Sequence, residues 1–210
     1  IIQLIPTLQQ IAPDCLLVLG DRGEMLAGAI CAGHLGIPVV HIHGGERSGT
    51  IDEPVRHAIS KLSHLHLVAT DESRMRLIRM GESPDTVFVT GAPGLDGLKA
   101  MACVSRLSLT EDEGLNDSAP IALFQFHPVH GEERDAYRHT SAALDGLVAA
   151  GCSQIVALQP NADSGNSDVR TALADALDRY PGLRLHAHLP RPRFVSWLAH
   201  CDVFAGNSSS

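Results

Sequence analysis

One stretch of the chain concentrates the side chain types that transfer protons in enzymes. It runs from residue 41 to residue 57 with the sequence HIHGGERSGTIDEPVRH. An apolar run ends there in a glycine pair, where the backbone can turn sharply and approach a ligand closely. Imidazoles, carboxylates and guanidinium groups then crowd a predicted junction between a strand and a helix. The candidate acid, base and binding groups of this stretch are His43, Glu46, Asp52, Glu53 and Arg56.

This junction is of the kind where parallel sheets bind ligands. Open α/β sheets take their ligands in the crevice outside the carboxyl ends of the strands. Pro54 favours the first turn of a helix, so the carboxylates of Asp52 and Glu53 come at the start of that helix. A solvated loop followed by a capped helix is the alternative interpretation. We favour a functional site, because many titratable groups lie beside a glycine pair.

A second candidate pair follows an earlier apolar run. Residues 15–19 predict a short buried strand, which leads directly into Gly20, Asp21, Arg22 and Gly23. Asp21 could cap the next helix, and Arg22 could be a surface cation. Both could instead belong to the functional site, and the residue types alone leave the two interpretations open.

The chain alternates apolar runs with helical patterns, which is typical of βαβ units and parallel sheets. The predicted strands cover residues 15–19, 37–42, 64–70, 87–90, 121–126, 154–158, 183–189 and 202–205. A polar, acidic and turn-rich segment, residues 105–119, separates two such series and is the best candidate for a linker. The sequence therefore predicts an α/β protein with two Rossmann-like domains, residues 1–104 and 120–210.

Three polar loops follow apolar runs in the second half of the chain. They carry His127, Asn161 and the serines Ser208, Ser209 and Ser210. Their hydroxyl, amide and backbone N–H groups could form a cradle for a phosphate or a ribose. The sequence lacks the lysine-containing P-loop, the GxGxxG fingerprint of dinucleotide enzymes and the GxSxG elbow of hydrolases. The two halves together predict a bound nucleotide and acid–base chemistry.

Composition excludes several classes of protein. The formal net charge is −8, so there is no basic footprint for nucleic acid. Apolar runs are too short to span a membrane, no signal peptide is visible, and the scattered cysteines suit a reducing cytoplasm. His64 and His66 share a strand face but lack further ligands at zinc spacing, so we favour packing or interface roles. The chain begins within an apolar helical pattern and without an initiator Met, which predicts that it is an internal fragment.

Seven segments resemble the hydrolysing UDP-N-acetylglucosamine 2-epimerases of sialic-acid biosynthesis. They span nearly the whole chain in the family's order, and together they are specific. They are LGDR (19–22), HIHGGE (41–46), GTIDE (49–53), RHAISK (56–61), FHPV (126–129), PN (160–161) and GNSSS (206–210). The resemblance implies a GT-B-like fold, with two Rossmann-like domains and the active site in the cleft between them. It also implies no cofactor, no metal-dependent chemistry, and a homodimer or homotetramer.

The resemblance further implies a reaction. A base removes the C2 proton of UDP-N-acetylglucosamine while UDP leaves C1, which gives a 2-acetamidoglucal. Water then adds to yield N-acetylmannosamine, with UDP released. By the same resemblance, Asp21 and Asp52 match acidic positions of the family. Some relatives carry glutamate at the position of His43, where an imidazole can also serve as the first base.

The binding residues are assigned by the same resemblance. Arg22 matches an arginine that contacts the substrate, while His127, Asn161 and residues 208–210 match segments that contact UDP. The family's Gly-Thr-Arg motif and everything after the triple serine are absent from the chain. A substrate-binding arginine and a UDP-binding glutamate are therefore expected outside it.

Other activities are compatible with these residues. The first is the same chemistry on a UDP-2,4-diacetamido sugar, because nothing in the sequence reads the C4 substituent. The second is a retaining glycosyltransferase on the same fold, which would need an acceptor. The third is a module that binds a UDP-sugar without catalysis. A non-hydrolysing epimerase is less favoured, because residues 41–46 depart from its pattern.

Overall fold

The computed structural model of the 210-residue chain describes residues 1–49, 51–128, 133–160 and 166–207. Contacts between residues divide the chain into two units, Ile1–Asp96 and Gly97–Ser210. Each unit contains a parallel β-sheet whose strands alternate with helices along the chain. This is the architecture that alternating strand and helix patterns favour. The predicted α/β class with two parallel sheets is confirmed.

The first unit carries a four-stranded sheet in the order β1-β2-β3-β4. Its strands are β1 (Leu16–Leu19), β2 (Val39–Ile42), β3 (Leu65–Val68) and β4 (Val87–Val89). Its helices are α1 (Leu4–Ile11), α2 (Gly23–Leu35), α3 (Asp52–Lys61) and α4 (Asp71–Arg79). All three strand pairs are parallel, so the loops that follow the strands emerge at one edge of the sheet. That edge carries the predicted acid–base residues.

A small apolar core holds this sheet against α2 and α3. Val18 of β1 and Val39 of β2 pack with Ala29 of α2 and Ile59 of α3, and all four are almost completely buried. Removing their apolar surface from water is the main force that fixes these elements together. The core thus places the start of α3 beside the ends of β1 and β2.

The second unit carries a sheet in the order β7-β6-β5-β8. Its strands are β5 (Ile121–Gln125), β6 (Gln154–Leu158), β7 (Leu183–His186) and β8 (Val203–Gly206). Its helices are α5 (Leu98–Met101), α6 (Arg106–Glu113), α7 (Ala136–Ala149), α8 (Asn166–Arg179) and α9 (Arg191–His200). Because β5 pairs in parallel with both β6 and β8, the loops after β5 and β8 are neighbours.

Short 3₁₀ helices complete the described structure. They span Pro84–Thr86, Pro93–Leu95 and Glu133–Asp135. Among the helices that the structure describes, none is long and apolar enough to cross a membrane.

The segment predicted as a linker, residues 105–119, contains helix α6. The hydroxyl of Ser105 caps this helix by accepting the N–H of Ser108 at 3.2 Å. Leu109 is fully buried within an apolar cluster of the second unit, and Arg193 of α9 donates to Glu113 at 3.0 Å. The structure differs from the prediction because this polar segment includes a helix that packs within the second unit through Leu109 and Glu113. In the structure, the second unit accordingly begins at Gly97.

Candidate active site

The loops after β1 and β2 meet at the carboxyl edge of the first sheet. Leu19 of β1 lies opposite Ile42 of β2 in the register of the sheet. The N–H of Gly20 donates to the Ile42 carbonyl at 3.0 Å, and the N–H of His43 donates to the Leu67 carbonyl at 3.0 Å. These bonds fix the points at which the two loops begin, and hence the positions of the predicted catalytic residues.

His41 in β2 ties these loops to α3. It is fully buried, and its Nε2 lies 2.8 Å from the Gly20 carbonyl. Because a carbonyl can only accept, Nε2 carries the proton, and Nδ1 accepts from the Ser60 hydroxyl at 3.0 Å. Burial lowers the pKa of His41 to about 4, so the ring is neutral near pH 7. This histidine is a structural hydrogen-bonding group rather than a base.

Packing explains the glycine pair in the loop after β2. Gly45 has a φ of 77°, and a Cβ there would lie 2.5 Å from the Ser73 carbonyl oxygen of α4. A Cβ at Gly44 would lie 3.0 Å from both His41 Nδ1 and the Ser60 hydroxyl. These glycines were predicted from the sequence to allow close approach to a ligand. The close approach in the structure is to side chains and backbone of the same unit.

His43 combines an uncommon backbone conformation with a carboxylate partner. Its φ is 63°, in the left-handed region that few residues other than glycine adopt. Its Nδ1 lies 3.2 Å from Oε1 of Glu46, and the two side chains are 24% and 32% exposed. The carboxylate fixes the direction of the ring. Nε2 is therefore the nitrogen that can act as a base.

A single guanidinium group joins the two loops. Arg56 of α3 is only 7% exposed. It donates to the Asp21 carboxylate through Nη2 and to the Glu46 carbonyl through Nη1, the latter at 3.1 Å. A buried charge needs such partners, because its removal from water is costly. Arg56 was predicted to bind the substrate, whereas this geometry is that of a residue that positions Asp21.

Glu53 anchors the loop that precedes α3. Its Oε2 accepts the N–H groups of Gly49 and Ser48, both at 2.9 Å, and these two bonds lower the pKa of the carboxyl. Its Oε1 lies 3.8 Å from Nε of Arg47 and 3.9 Å from Nε2 of His57. A carboxylate that backbone donors hold in its ionised form is a poor base. The geometry therefore favours a loop-positioning role over proton transfer.

An open pocket of about 530 Å³ lies beside the same edge. Asp21 and Arg22 line it from the loop after β1, and Asp52 lines it from the first turn of α3. The remaining lining residues are Gly23, Glu24, Ala27 and Val55. This volume is typical of sites for small molecules. The structure thus brings Asp21, Arg22 and Asp52 around one space, while His43, which it also describes, is not part of that lining.

In the second unit, His127 follows β5 and is bound by Asn207, which follows β8. The N–H of His127 donates to Oδ1 of Asn207 at 2.8 Å, and Nδ2 of Asn207 donates to the His127 carbonyl at 2.7 Å. Nε2 of Gln125 lies 3.3 Å from Nε2 of His127. His127 was predicted from the sequence to bind UDP, whereas Gln125 and Asn207 were not among the predicted site residues. The signal that could have found Asn207 is its position directly before three serines.

Four further residues are predicted to bind UDP. Asn161, Ser208, Ser209 and Ser210 lie outside the described residues. Their assignment therefore stays a prediction. Asn161 follows β6 in the sequence and Ser208 follows Asn207 directly, after strands that run parallel to β5.

The contacts of His64 and His66 agree with packing roles. Nδ1 of His64 accepts the N–H of Val39 at 3.2 Å. His66 is fully buried, with its Nε2 3.3 Å from the Glu82 carboxylate. Within the part of the chain that the structure describes, no group of three or more His, Cys, Asp or Glu residues is placed to hold a metal ion.

Fold and site together define a class: a parallel α/β protein with acid–base residues at one sheet edge and a separate polar edge in its second unit. The family model described as UDP-N-acetylglucosamine 2-epimerase matches residues 1–210. The chain belongs to this family. The resemblance seen in the sequence motifs is thereby confirmed.

Two curated relatives illustrate the similarity. A UDP-N,N'-diacetylbacillosamine 2-epimerase (hydrolyzing) from Legionella pneumophila is 48% identical over 198 residues, which are 94% of this chain and 52% of that protein. A UDP-N-acetylglucosamine 2-epimerase from Neisseria meningitidis serogroup B is 34% identical over 205 residues, or 96% of this chain and 52% of that protein. The chain therefore spans about half the length of these relatives.

Solved structures share the fold. The crystal structure of UDP-GlcNAc 2-epimerase from Neisseria meningitidis bound to UDP-GlcNAc matches with a TM-score of 0.85 at 21% identity, covering 99% of this chain and 58% of that one. The S. aureus MnaA-UDP co-structure matches with a TM-score of 0.81 at 20% identity, covering 99% and 56%. The predicted GT-B-like fold class is confirmed. The location of the active site between the domains stays a prediction.

Proposed function

We propose that the protein is a hydrolysing 2-epimerase of a UDP-linked 2-acetamido sugar. The observation that carries the proposal is the bridge made by Arg56, which binds the Asp21 carboxylate and the backbone of Glu46. The side chain of Glu46 in turn contacts His43. Carboxylates and an imidazole, the groups that acid–base catalysis uses, are therefore held at one sheet edge. Membership of the 2-epimerase family supports the proposal.

The reaction begins at C2 of the sugar. A base takes the C2 proton, the electron pair of that C–H bond forms the C1–C2 double bond, and the C1–O bond breaks with UDP as the leaving group. Water then adds across the double bond and places its hydroxyl group on C1. A proton is added to C2 on the face opposite to the one from which the original proton was removed. The products are UDP and the free 2-epimer, and no oxidant or reductant is consumed.

The acid–base groups of the first unit are assigned to these steps. His43 is the candidate base for the C2 proton, with Glu46 orienting the ring and balancing the charge it gains. Asp21 and Asp52 line the pocket and are the candidates for assisting the departing oxygen and for returning a proton to C2. Arg22 is assigned to substrate binding from the same pocket wall.

Two charged residues are assigned to positioning in this scheme. Arg56 is buried and holds Asp21 through a partly buried ion pair, which sets the direction of that carboxylate. Glu53 holds the backbone N–H groups of Ser48 and Gly49 and so shapes the loop before α3. Neither residue needs to touch the substrate in order to affect turnover.

The UDP group is assigned to the second unit. His127, Asn161 and residues 208–210 follow its strands, where backbone N–H groups and helix N-termini suit phosphates. The chain has a formal net charge of −8, so its overall electrostatic field does not attract an anionic donor. Such a donor must therefore be bound by local groups of this kind. Proteins of the same fold bound to UDP-GlcNAc and to UDP support this assignment.

Two donor sugars are candidates. The relative that is 48% identical is named for UDP-N,N'-diacetylbacillosamine, and the one that is 34% identical is named for UDP-N-acetylglucosamine. The two donors differ at C4, where the first carries an acetamido group and the second a hydroxyl, and at C6, where the first lacks the hydroxyl of the second. We place the diacetamido donor first because of the higher identity. The product from UDP-N-acetylglucosamine would be N-acetylmannosamine, the sugar that precedes sialic acid.

The two donors can be compared directly. Each is incubated alone with the complete protein, and UDP release and the free sugar are measured. We expect both products from the preferred donor, with a kcat/KM at least about 10-fold above that of the other. UDP release with an unchanged C2 configuration would identify a simple hydrolase. A requirement for an acceptor would identify a glycosyltransferase, and either result contradicts the proposal.

Further expectations about the complete protein follow from its composition and from the resemblance. A homodimer or homotetramer, a cytoplasmic location, activity without cofactor or metal, and no nucleic-acid or membrane partner are all predicted. Light scattering after size-exclusion chromatography measures the oligomeric state. Activity should persist after treatment with a chelator, and its loss would contradict the predicted chemistry.

A further inference from the structure

Two side-chain amides enclose His127 at the carboxyl edge of the second sheet. Asn207 makes two hydrogen bonds with the His127 backbone, at 2.8 Å from its N–H and at 2.7 Å to its carbonyl. Gln125, the last residue of β5, places its Nε2 3.3 Å from Nε2 of the imidazole. We call Asn207 and Gln125 the amide bracket of His127.

The amide bracket contacts both the backbone and the side chain of His127. The side-chain amide of Gln125 lies within hydrogen-bond distance of the His127 ring, so it contacts the imidazole itself. Gln125 thus helps to orient the imidazole, while Asn207 holds the backbone from which the ring projects.

Close pairing of β5 and β8 makes the bracket possible. Gln125 lies opposite Gly206 in the register of the sheet. A Cβ at residue 206 would lie 2.6 Å from the Gln125 carbonyl oxygen, so a larger residue would push the strands apart. Glycine therefore allows the next residue, Asn207, to reach the backbone of His127.

We propose that Asn207, together with Gln125, is a positioning residue for nucleotide binding that acts through His127. The inference rests on the proposed function, because that function assigns UDP to His127. Asn207 needs no contact of its own with the nucleotide. By holding both backbone groups of His127 before the ligand arrives, it reduces the conformational freedom that binding would otherwise remove.

The chain offers a matched control in Gln154. Its Oε1 accepts the N–H of Asn116 at 2.7 Å, and its Nε2 donates to the Asn116 carbonyl at 2.8 Å. This is the same pair of amide-to-backbone bonds. Gln154 is the first residue of β6, so this pair lies at the amino edge of the sheet, opposite to His127. Asn207→Ala and Gln154→Ala each remove two bonds of the same type from one sheet.

The test is calorimetry with UDP on the complete protein, accompanied by thermal melting. We expect Asn207→Ala to raise the Kd for UDP by about 5-fold or more, the effect of losing one typical net hydrogen bond. Gln154→Ala should leave the Kd within about 2-fold of wild type while lowering Tm to a similar extent. In a His127→Ala background, Asn207→Ala should have no further effect on the Kd, because the two residues act as a unit.

Gln125→Leu provides an independent variant should Asn207→Ala fail to fold. It removes the contact to the imidazole and leaves the backbone bonds of Asn207 in place, and we expect weaker UDP binding. Equal Kd values for Asn207→Ala and Gln154→Ala, additive effects with His127→Ala, or an unchanged Kd for Gln125→Leu would each overturn the inference and leave the proposed function standing. Absence of UDP binding by the wild-type protein would overturn the proposed function itself.

Discussion

His43 adopts an energetically unfavourable backbone conformation, which is expected where the side chain has a function. A φ of 63° in a residue other than glycine costs on the order of 1–3 kcal/mol. The conformation persists because the His43 N–H is bonded to the Leu67 carbonyl and the next two residues are packed tightly. Glycine would adopt this backbone more easily. The presence of an imidazole therefore indicates that the ring, rather than the turn, determines the residue type here.

Replacing His43 with glycine separates these two contributions. Because the backbone conformation suits glycine, we expect His43→Gly to keep the Tm of the wild type while turnover falls by roughly 10²-fold or more. Ala12 has a φ of 48° at the end of α1 and provides the control. Ala12→Gly should also keep Tm and leave turnover unchanged. A His43→Gly variant with full activity would remove His43 from the mechanism.

The two pocket aspartates should respond differently to substitution. Asp52→Asn is expected to lower turnover by roughly 10²-fold or more while changing the free energy of unfolding by less than about 1 kcal/mol. Asp21→Asn should lower turnover as well, and also reduce the free energy of unfolding by about 1–3 kcal/mol, because Arg56 stays buried with a weaker partner.

Urea unfolding and steady-state kinetics of both variants measure these quantities. If Asp21→Asn is as stable as the wild type, the ion pair between Asp21 and Arg56 does not stabilise the fold. Wild-type turnover in either variant would remove that aspartate from the chemistry.

Residue types in the first site were predictable from the sequence, but their partners were not. The crowding of carboxylates and histidines after a strand identified the region. The sequence could not show that Arg56 is buried and paired with Asp21, or that the Glu53 carboxylate accepts hydrogen bonds from backbone N–H groups. Those contacts depend on how α3 packs against two loops that are separated from it along the chain.

At the level of elements, buried strands were the most predictable feature. The predicted strand at residues 154–158 coincides with β6, because a strand buried on both faces reads as a continuous apolar run. Helix α6 was missed because its sequence is mostly polar. Its single large buried residue, Leu109, and its ion pairs with Arg193 become visible only when α9 is in place.

Two buried histidines lie side by side on neighbouring strands of the first sheet. His41 and His66 are opposite each other in register, and both are fully buried. Burial lowers the pKa of both imidazoles, that of His41 to about 4. In the unfolded chain they would titrate near the ordinary value of about 6.5. Between these values the unfolded state binds more protons than the folded state, so acidification favours unfolding.

Stability should therefore be constant above about pH 7 and fall progressively from about pH 6.5 towards pH 4. The expected loss is at most about 1.4 kcal/mol per pH unit for each histidine. Urea unfolding at several pH values measures it. His41→Gln should reduce the slope, since an amide can replace both hydrogen bonds without titrating, whereas replacing the exposed His188 with Gln should not. A slope that His41→Gln leaves unchanged would contradict this explanation.

Across the whole molecule, the two sheets carry different chemistry at their carboxyl edges. The first presents carboxylates, an imidazole and a buried arginine, and the second presents an imidazole held by amides. This division was predictable, because polar loops follow apolar runs in both halves. The bracket around His127 was not, because it joins residues that are 80 positions apart.

The hydrogen at C2 of the product provides the most direct test of the proposed mechanism. Reaction of the complete protein with its donor in deuterated water, followed by NMR of the sugar, shows whether that position has exchanged with solvent. The proposed mechanism predicts the free 2-epimer with deuterium at C2, together with UDP. The reason is that the C2–H bond breaks during elimination and the new hydrogen at C2 comes from solvent. Hydrolysis without elimination, or glycosyl transfer, would leave the original hydrogen at C2. A product that retains hydrogen at C2 would contradict the mechanism.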